Sequence, residues 1–254
     1  MTLAVEQWLI PAYVGPLPEA VYVVLPEDAQ GRVTALRDGM RGMTAMLIGP
    51  GLGQSDATRI MLRSLLATLA ALPNNERPRL IVDADGLNFL SQEPEWWKLL
   101  PPQTVLTPHL GEMQRLMGNK RKLSPEGVEG LAIVREQART WGHVIVLKGA
   151  LTIIAAPDGE ANTCPWLNYA PNPAMSTAGS GDVLAGTIVG LLAQGAEPFA
   201  AAVAGVALHS EAGKLGAFAL GHVQAGMLAA DIAQCLPEAR LLFTQSDTSD
   251  ASLT

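Results

Sequence analysis

Apolar runs closed by turn residues recur through the first part of the chain, at 2–5, 21–25, 45–48, 80–82, 104–106 and 144–147. Each has the length of a buried strand, and near-continuous apolar character marks strands covered on both faces. Between them the spacing changes to that of a helix. In 55–72 the apolar positions fall at 60, 62, 65, 66 and 69, and in 125–141 Leu131, Val134 and Ala138 share a face. Alternating strand and helix predicts an α/β fold with a mainly parallel central sheet between helical layers. Beyond Leu147 the pattern predicts an antiparallel pair, 151–156 and 161–167, around the turn Pro157-Asp158-Gly159. Helices are expected at 181–194, 198–215 and 223–235, and the small polar residues 244–254 read as a frayed tail. One domain over 1–243 is expected.

Composition narrows the function classes. The chain has 254 residues, with 17 Lys and Arg against 24 Asp and Glu for a formal charge of −7, and nowhere do five basic residues cluster. A broad nucleic-acid-binding face is therefore not expected, and a phosphorylated ligand must be gripped locally. Cys164 and Cys235 show no metal-ligand spacing and read as reduced thiols of a cytoplasmic protein. Residues 1–14 lack the basic start of a secretory signal, and no apolar window is long enough for a membrane span.

The candidate chemistry lies in the turns after the strands, because ligands of open α/β sheets bind outside the carboxyl ends of the strands. After 45–48 comes Gly49-Pro50-Gly51-Leu52-Gly53, which reads either as an amide-lined loop or as a plain strand-to-helix turn. After 80–82 comes Asp83-Ala84-Asp85-Gly86-Leu87-Asn88, two carboxylates and an amide that suit a Mg²⁺ shell or a polar substrate group, or merely cap a helix. After 104–106 comes Thr107-Pro108-His109-Leu110-Gly111-Glu112, and after 144–147 comes Lys148-Gly149-Ala150-Leu151-Thr152. His109 can donate or accept at neutral pH, and Lys148 either meets a phosphate or snorkels to solvent. The densest signal is the run from Asn172-Pro173 to Gly179-Ser180-Gly181-Asp182 before an apolar helix. Glycines ahead of a helix N-terminus make an anion cradle. Asp182 can then either cap the helix or take a proton from a reacting hydroxyl. His209, inside an apolar helix, reads as a hydrogen-bonded core-edge histidine.

Taken together and in this order, the five motifs resemble the NAD(P)H-hydrate dehydratase family of the ribokinase-like superfamily, over nearly the whole chain. The resemblance implies a three-layer α/β/α fold and repair of nicotinamide cofactors: the C6-hydrated forms of NADH and NADPH lose water at the expense of ADP or ATP, with Mg²⁺. It implies that Asp182 is the catalytic base and that Gly51, Gly53, Asp85, Asn88, His109 and Asp182 bind the hydrated substrate. The nucleotide would be held by Lys148, Gly149, Ala150, Leu151 and Thr152 together with Gly179, Ser180 and Gly181. No metal ligands are assigned. A homo-oligomer and functional pairing with an epimerase are further implications.

The chain departs from the family pattern at Leu110, Ala174, Ala178 and Ser180. It also begins without a strand-helix unit that family members carry ahead of the segment matching 2–5, so the fold is expected to be N-terminally shortened and weakly active or poorly soluble. Two rivals share the same residues. One is a ribokinase-like kinase of a small alcohol, and the other is a nucleotide-binding fragment without turnover.

Overall fold

A computed structural model describes residues 1–119, 128–157, 164–221 and 226–245. Strands β1 (Thr2–Glu6) and β2 (Val21–Leu25) pair in parallel as a sheet of their own, joined through the short helix α1 (Ile10–Val14). Helix α2 (Ala29–Gly39) lies close on this pair. A side chain at Gly39 would come within 2.8 Å of Val23, and Arg32 meets Glu6 at 2.6 Å.

The main sheet has six strands in chain order: β3 (Ala45–Ile48), β4 (Arg79–Val82), β5 (Val105–Leu106), β6 (Val144–Leu147), β7 (Leu151–Ala155) and β8 (Trp166–Tyr169). The first four are parallel and the last two antiparallel. Side chains of a strand point alternately to opposite faces, and the core divides accordingly. Leu80, Val82, Leu106, Ile145 and Leu147 pack with the helices of one layer, α3 (Asp56–Ala71), α4 (Ala84–Leu90), α5 (Leu110–Leu116) and α6 (Val128–Trp141). Ile81, Val105, Val144 and Val146 face α7 (Ser180–Ala193) and α8 (Pro198–Ala219) on the other side. Helix α9 (Ala229–Gln245) closes the molecule against α8 through Ala212, Met227, Ile232 and Ala239. This is the three-layer α/β/α arrangement that the alternation implied.

Boundaries moved where local chemistry overrode the apolar pattern. The second hairpin strand, expected over 161–167, is described as Trp166–Tyr169, with residues 158–163, and so most of its expected turn, outside the described residues. Pro165 has no N–H to give to a ladder, so pairing with β7 begins at Trp166 opposite Ile154. The last helix begins at Ala229 and runs through Pro237 to Gln245. The start expected at 223, most of the expected tail and the first residues of the expected 125–141 helix fall outside the described residues.

Candidate active site

Main-chain hydrogen bonds fasten the parallel strand ends into one rim. Asp83 N–H donates to Ile48 O at 3.0 Å, Thr107 N–H to Val82 O at 3.2 Å and Lys148 N–H to Pro108 O at 2.8 Å, while His109 bridges Lys148 in parallel register. The turn after β3 crosses the β4–α4 junction at close quarters. Gly49 has φ +135°, and a Cβ there would lie 1.7 Å from Asp83 O. Only glycine permits that approach.

The two carboxylates of the second motif do different work. Asp83 is the residue before α4 but makes no capping bond. Its side chain, 1% exposed, instead accepts from Lys148 Nζ at 2.7 Å. Lys148 therefore reaches inward to a buried partner instead of snorkelling to solvent. Asp85, in the first turn of α4, accepts from Gly53 N–H at 2.9 Å and from the Gln54 amide at 3.2 Å. It fixes the outer part of the glycine loop. Asn88 accepts from Arg115 Nε at 3.1 Å, a partner on α5 that motif reading did not anticipate.

His109 both starts and caps α5. Its Nδ1 accepts from Gly111 N–H at 3.0 Å and Glu112 N–H at 3.4 Å, and the Glu112 carboxylate accepts from His109 N–H at 2.8 Å. These reciprocal bonds satisfy orphan helix donors. With Nδ1 engaged as acceptor, the neutral ring carries its proton on Nε2, which lies 3.5 Å from Glu112 Oε1. More than half of the His109 side chain stays exposed.

Helix α7 enters from the opposite layer. Gly179 precedes it with φ +85°, and Asp182 occupies the first turn. A Cβ on Gly181 would lie 3.3 Å from Lys148 Nζ and 4.0 Å from Asp83 Oδ2, so the helix N-terminus abuts the ion pair. Partial desolvation, and then the charge of Asp83, push the Asp182 carboxyl above its ordinary value, while Lys148 pulls it down. The glycine cradle is smaller than the sequence implied. Ser180 N–H is taken by Thr177 O at 3.3 Å, and among the described residues the first-turn N–H groups of Gly181 and Asp182 meet no main-chain acceptor. Behind them, buried His209 Nε2 lies 3.0 Å from Ser180 O. Desolvation holds that imidazole down to about 4, with Lys148 adding to the effect and the Ser180 carbonyl opposing it.

After Lys148, Gly149 and Ala150 lead into β7, and the Thr152 hydroxyl donates back to Gly149 O at 3.0 Å. Asp83, Lys148, Gly181 and Asp182 are thus one cluster, His109 is its backbone neighbour, and Gly53 with Asp85 forms a second cluster along the rim. Gly51 is exposed, and Asn88 lies a turn further out. Among the described residues, no three His, Cys, Asp or Glu side chains gather as a metal cage.

A parallel sheet whose glycine-rich strand ends meet a helix N-terminus carrying one aspartate defines the ribokinase-like class. A solved ribokinase-like superfamily protein of Enterococcus faecalis shares that architecture with a TM-score of 0.71 at 29% identity, over 93% of this chain and 75% of its own. Within that class, the chain belongs to the NAD(P)H-hydrate dehydratase family, whose profile matches residues 10–238. The ADP-dependent (S)-NAD(P)H-hydrate dehydratase of Neisseria meningitidis is 36% identical over 230 residues, 89% of this chain and 71% of that protein. The bifunctional NAD(P)H-hydrate repair enzyme of Moorella thermoacetica is 39% identical over 221 residues, 87% of this chain but 38% of the relative. The chain therefore spans about two fifths of the bifunctional relatives it matches. The ADP/ATP-dependent NAD(P)H-hydrate dehydratase of Bacillus subtilis, crystallised with ATP and Mg²⁺, gives a TM-score of 0.70 at 27% identity over 95% of this chain and 80% of that one.

Proposed function

We propose that this chain restores NADH and NADPH from their C6-hydrated forms, using ADP or ATP as phosphoryl donor. The supporting observation is Asp182, which presents a carboxylate at an amide-lined helix N-terminus against the Lys148–Asp83 pair. Hydroxide is a poor leaving group. Asp182 takes the proton of the C6 hydroxyl as its oxygen attacks the terminal phosphorus of the donor, and the nucleotide leaves shorter by one phosphoryl group. The ring nitrogen lone pair then expels phosphate from C6, and loss of a C5 proton closes the C5–C6 double bond. The N–H groups of Gly181 and Asp182 offset the charge on the migrating phosphoryl group. His109 positions the hydrated ring, and Lys148 through Thr152 hold the nucleotide.

Mg²⁺ characteristically binds one or two carboxylates plus substrate phosphates, which fits a site whose Asp182 carboxylate stands at a helix N-terminus suited to phosphate. Bound there, it would supply counter-charge to the phosphates. We also place the protein in the cytoplasm as a homo-oligomer. The match to bifunctional repair enzymes supports functional pairing with an epimerase.

Incubation with (S)-hydrated NADH or NADPH, Mg²⁺ and ADP or ATP tests the proposal directly. It predicts recovery of the absorbance of the reduced nicotinamide with one free phosphate released per molecule. Accumulation of a stable phosphomonoester, or no recovery with either donor, overturns it.

A further inference from the structure

Arg59 and Arg115 are each held by a neutral side-chain amide, with no carboxylate partner among the described residues. Neighbouring Arg63 is neutralised by Glu93 at 2.7 Å, and Arg79 by Glu197 at 2.7 Å. By contrast Arg59, in the first turn of α3, donates through Nη2 to Gln92 Oε1, and Arg115, in the last turn of α5, donates through Nε to Asn88 Oδ1 at 3.1 Å. Gln92 in turn donates to Asn88 O at 3.3 Å. The two arginine–amide pairs are thus linked through the main-chain carbonyl of Asn88, along α4 and the turn that follows it, on the segment that also carries Asp85.

Residues four apart on a helical path sit about 5–6 Å from one another, so the two guanidinium groups are anchored roughly one turn apart from opposite sides. Each uses one nitrogen on its amide and keeps its remaining donors for a ligand. Asp85, the nearest carboxylate of that segment, is engaged with Gly53 and Gln54. In a chain of net charge −7, two cations left without a counter-charge along one rim point to an anion that arrives with the substrate. Paired guanidinium forks suit phosphate oxygens.

We propose that Arg59 and Arg115 form a phosphate subsite for the dinucleotide substrate, with Asn88 and Gln92 setting their geometry. This rests on the cofactor-repair reading above. The phosphate is either the diphosphate bridge or the ribose phosphate that distinguishes NADPH. Calorimetric titration of the full chain with NADPH, NADH and ADP separates these cases without requiring turnover. Arg59→Gln and Arg115→Gln should each weaken dinucleotide binding about tenfold, and together about a hundredfold, with ADP affinity unchanged. The variant Arg37→Gln removes an equal charge in the last turn of α2, outside the strip, and should leave all three affinities unchanged. Loss for both dinucleotides assigns the diphosphate, and loss for NADPH alone assigns the ribose phosphate. The subsite is overturned if the wild-type chain binds neither dinucleotide, if the single variants bind as the wild type does, or if ADP or the Arg37 control weakens equally. Arginine-dependent binding without dehydration of the hydrated cofactor would leave the subsite standing and remove the repair reading. Dehydration with an unchanged KM in both variants would do the reverse.

Discussion

Lys148 Nζ sits 2.7 Å from Asp83 Oδ1, joining the end of β6 to the end of β4 across the strand between them. The carboxylate is 1% exposed and the lysine side chain 20%. Breaking a buried pair by removing one partner costs about 3–5 kcal/mol, because the remaining charge is left uncompensated. Lys148→Met should therefore lower the unfolding free energy measured by urea titration by that much, while the double variant Lys148→Met/Asp83→Asn should recover most of the loss. Equal destabilisation of both would show that packing, and not the charge pair, holds the junction.

Asp182 is destabilised as an anion in the folded chain, first by desolvation and then by Asp83. A base must be ionised, so the acid limb of kcat/KM should lie above the ordinary aspartate value, and activity should fall as the pH drops through it. Lys148 opposes the shift. Removing it should move the limb to still higher pH. Asp182→Asn should lower kcat about 10²- to 10⁴-fold with ADP binding retained. Since a raised folded pKa means that ionisation disfavours the native state, the Asn variant should also melt no lower than the wild type at neutral pH. A variant with normal kcat removes Asp182 from the mechanism.

The strands at 45–48 and 144–147 were legible to the residue, because the second is buried on both faces, the first packs partly buried apolar residues on both, and nothing competes with either apolar run. Two features were not legible. One is the separation of β1 and β2 into their own sheet, since an apolar run does not say which neighbour it pairs with. The other is the partner of each polar side chain at the rim. Asp83 and Asp85 look alike in sequence, yet one is buried against the Lys148 ammonium and the other clamps a loop, which only the crossing of β3, β4 and β6 determines. His209 was readable as a hydrogen-bonded histidine, but its acceptor, Ser180 O, lies on another helix. Arg115 lies three residues past Glu112, and a lone arginine in a helix gives no sign of its partner.

Gly49 and Gly51 both have positive φ, at +135° and +71°, but only Gly49 faces backbone. Alanine at 51 meets nothing within 4 Å and bears only the conformational strain, about 1–2 kcal/mol. Alanine at 49 would put Cβ 1.7 Å from Asp83 O and force the strand ends apart. Gly49→Ala should thus destabilise by more than about 3 kcal/mol and abolish activity, whereas Gly51→Ala should fold and remain measurable. Comparable thermal midpoints for the two would count against the close crossing.

His209 makes stability depend on pH in a definite direction. Its folded value of about 4 lies below the ordinary 6.5 because burial disfavours the charged ring. Between those two pH values the unfolded chain binds a proton that the folded chain does not, so stability is full above about 6.5 and declines as the pH falls toward 4. At 1.36 kcal/mol per unit, the loss over that interval is on the order of 3 kcal/mol. Buried His143, lowered by desolvation against the opposing Trp97 carbonyl, adds in the same direction. Glutamine at 209 does not titrate, and its amide can still donate to Ser180 O. Urea midpoints measured at several pH values should therefore show His209→Gln close to wild type at neutral pH and less sensitive to acid, with a residual slope from His143. An unchanged slope would mean that the ring already charges in the folded chain, and its proton would then have to find an acceptor other than the Ser180 carbonyl beside the α7 N-terminus.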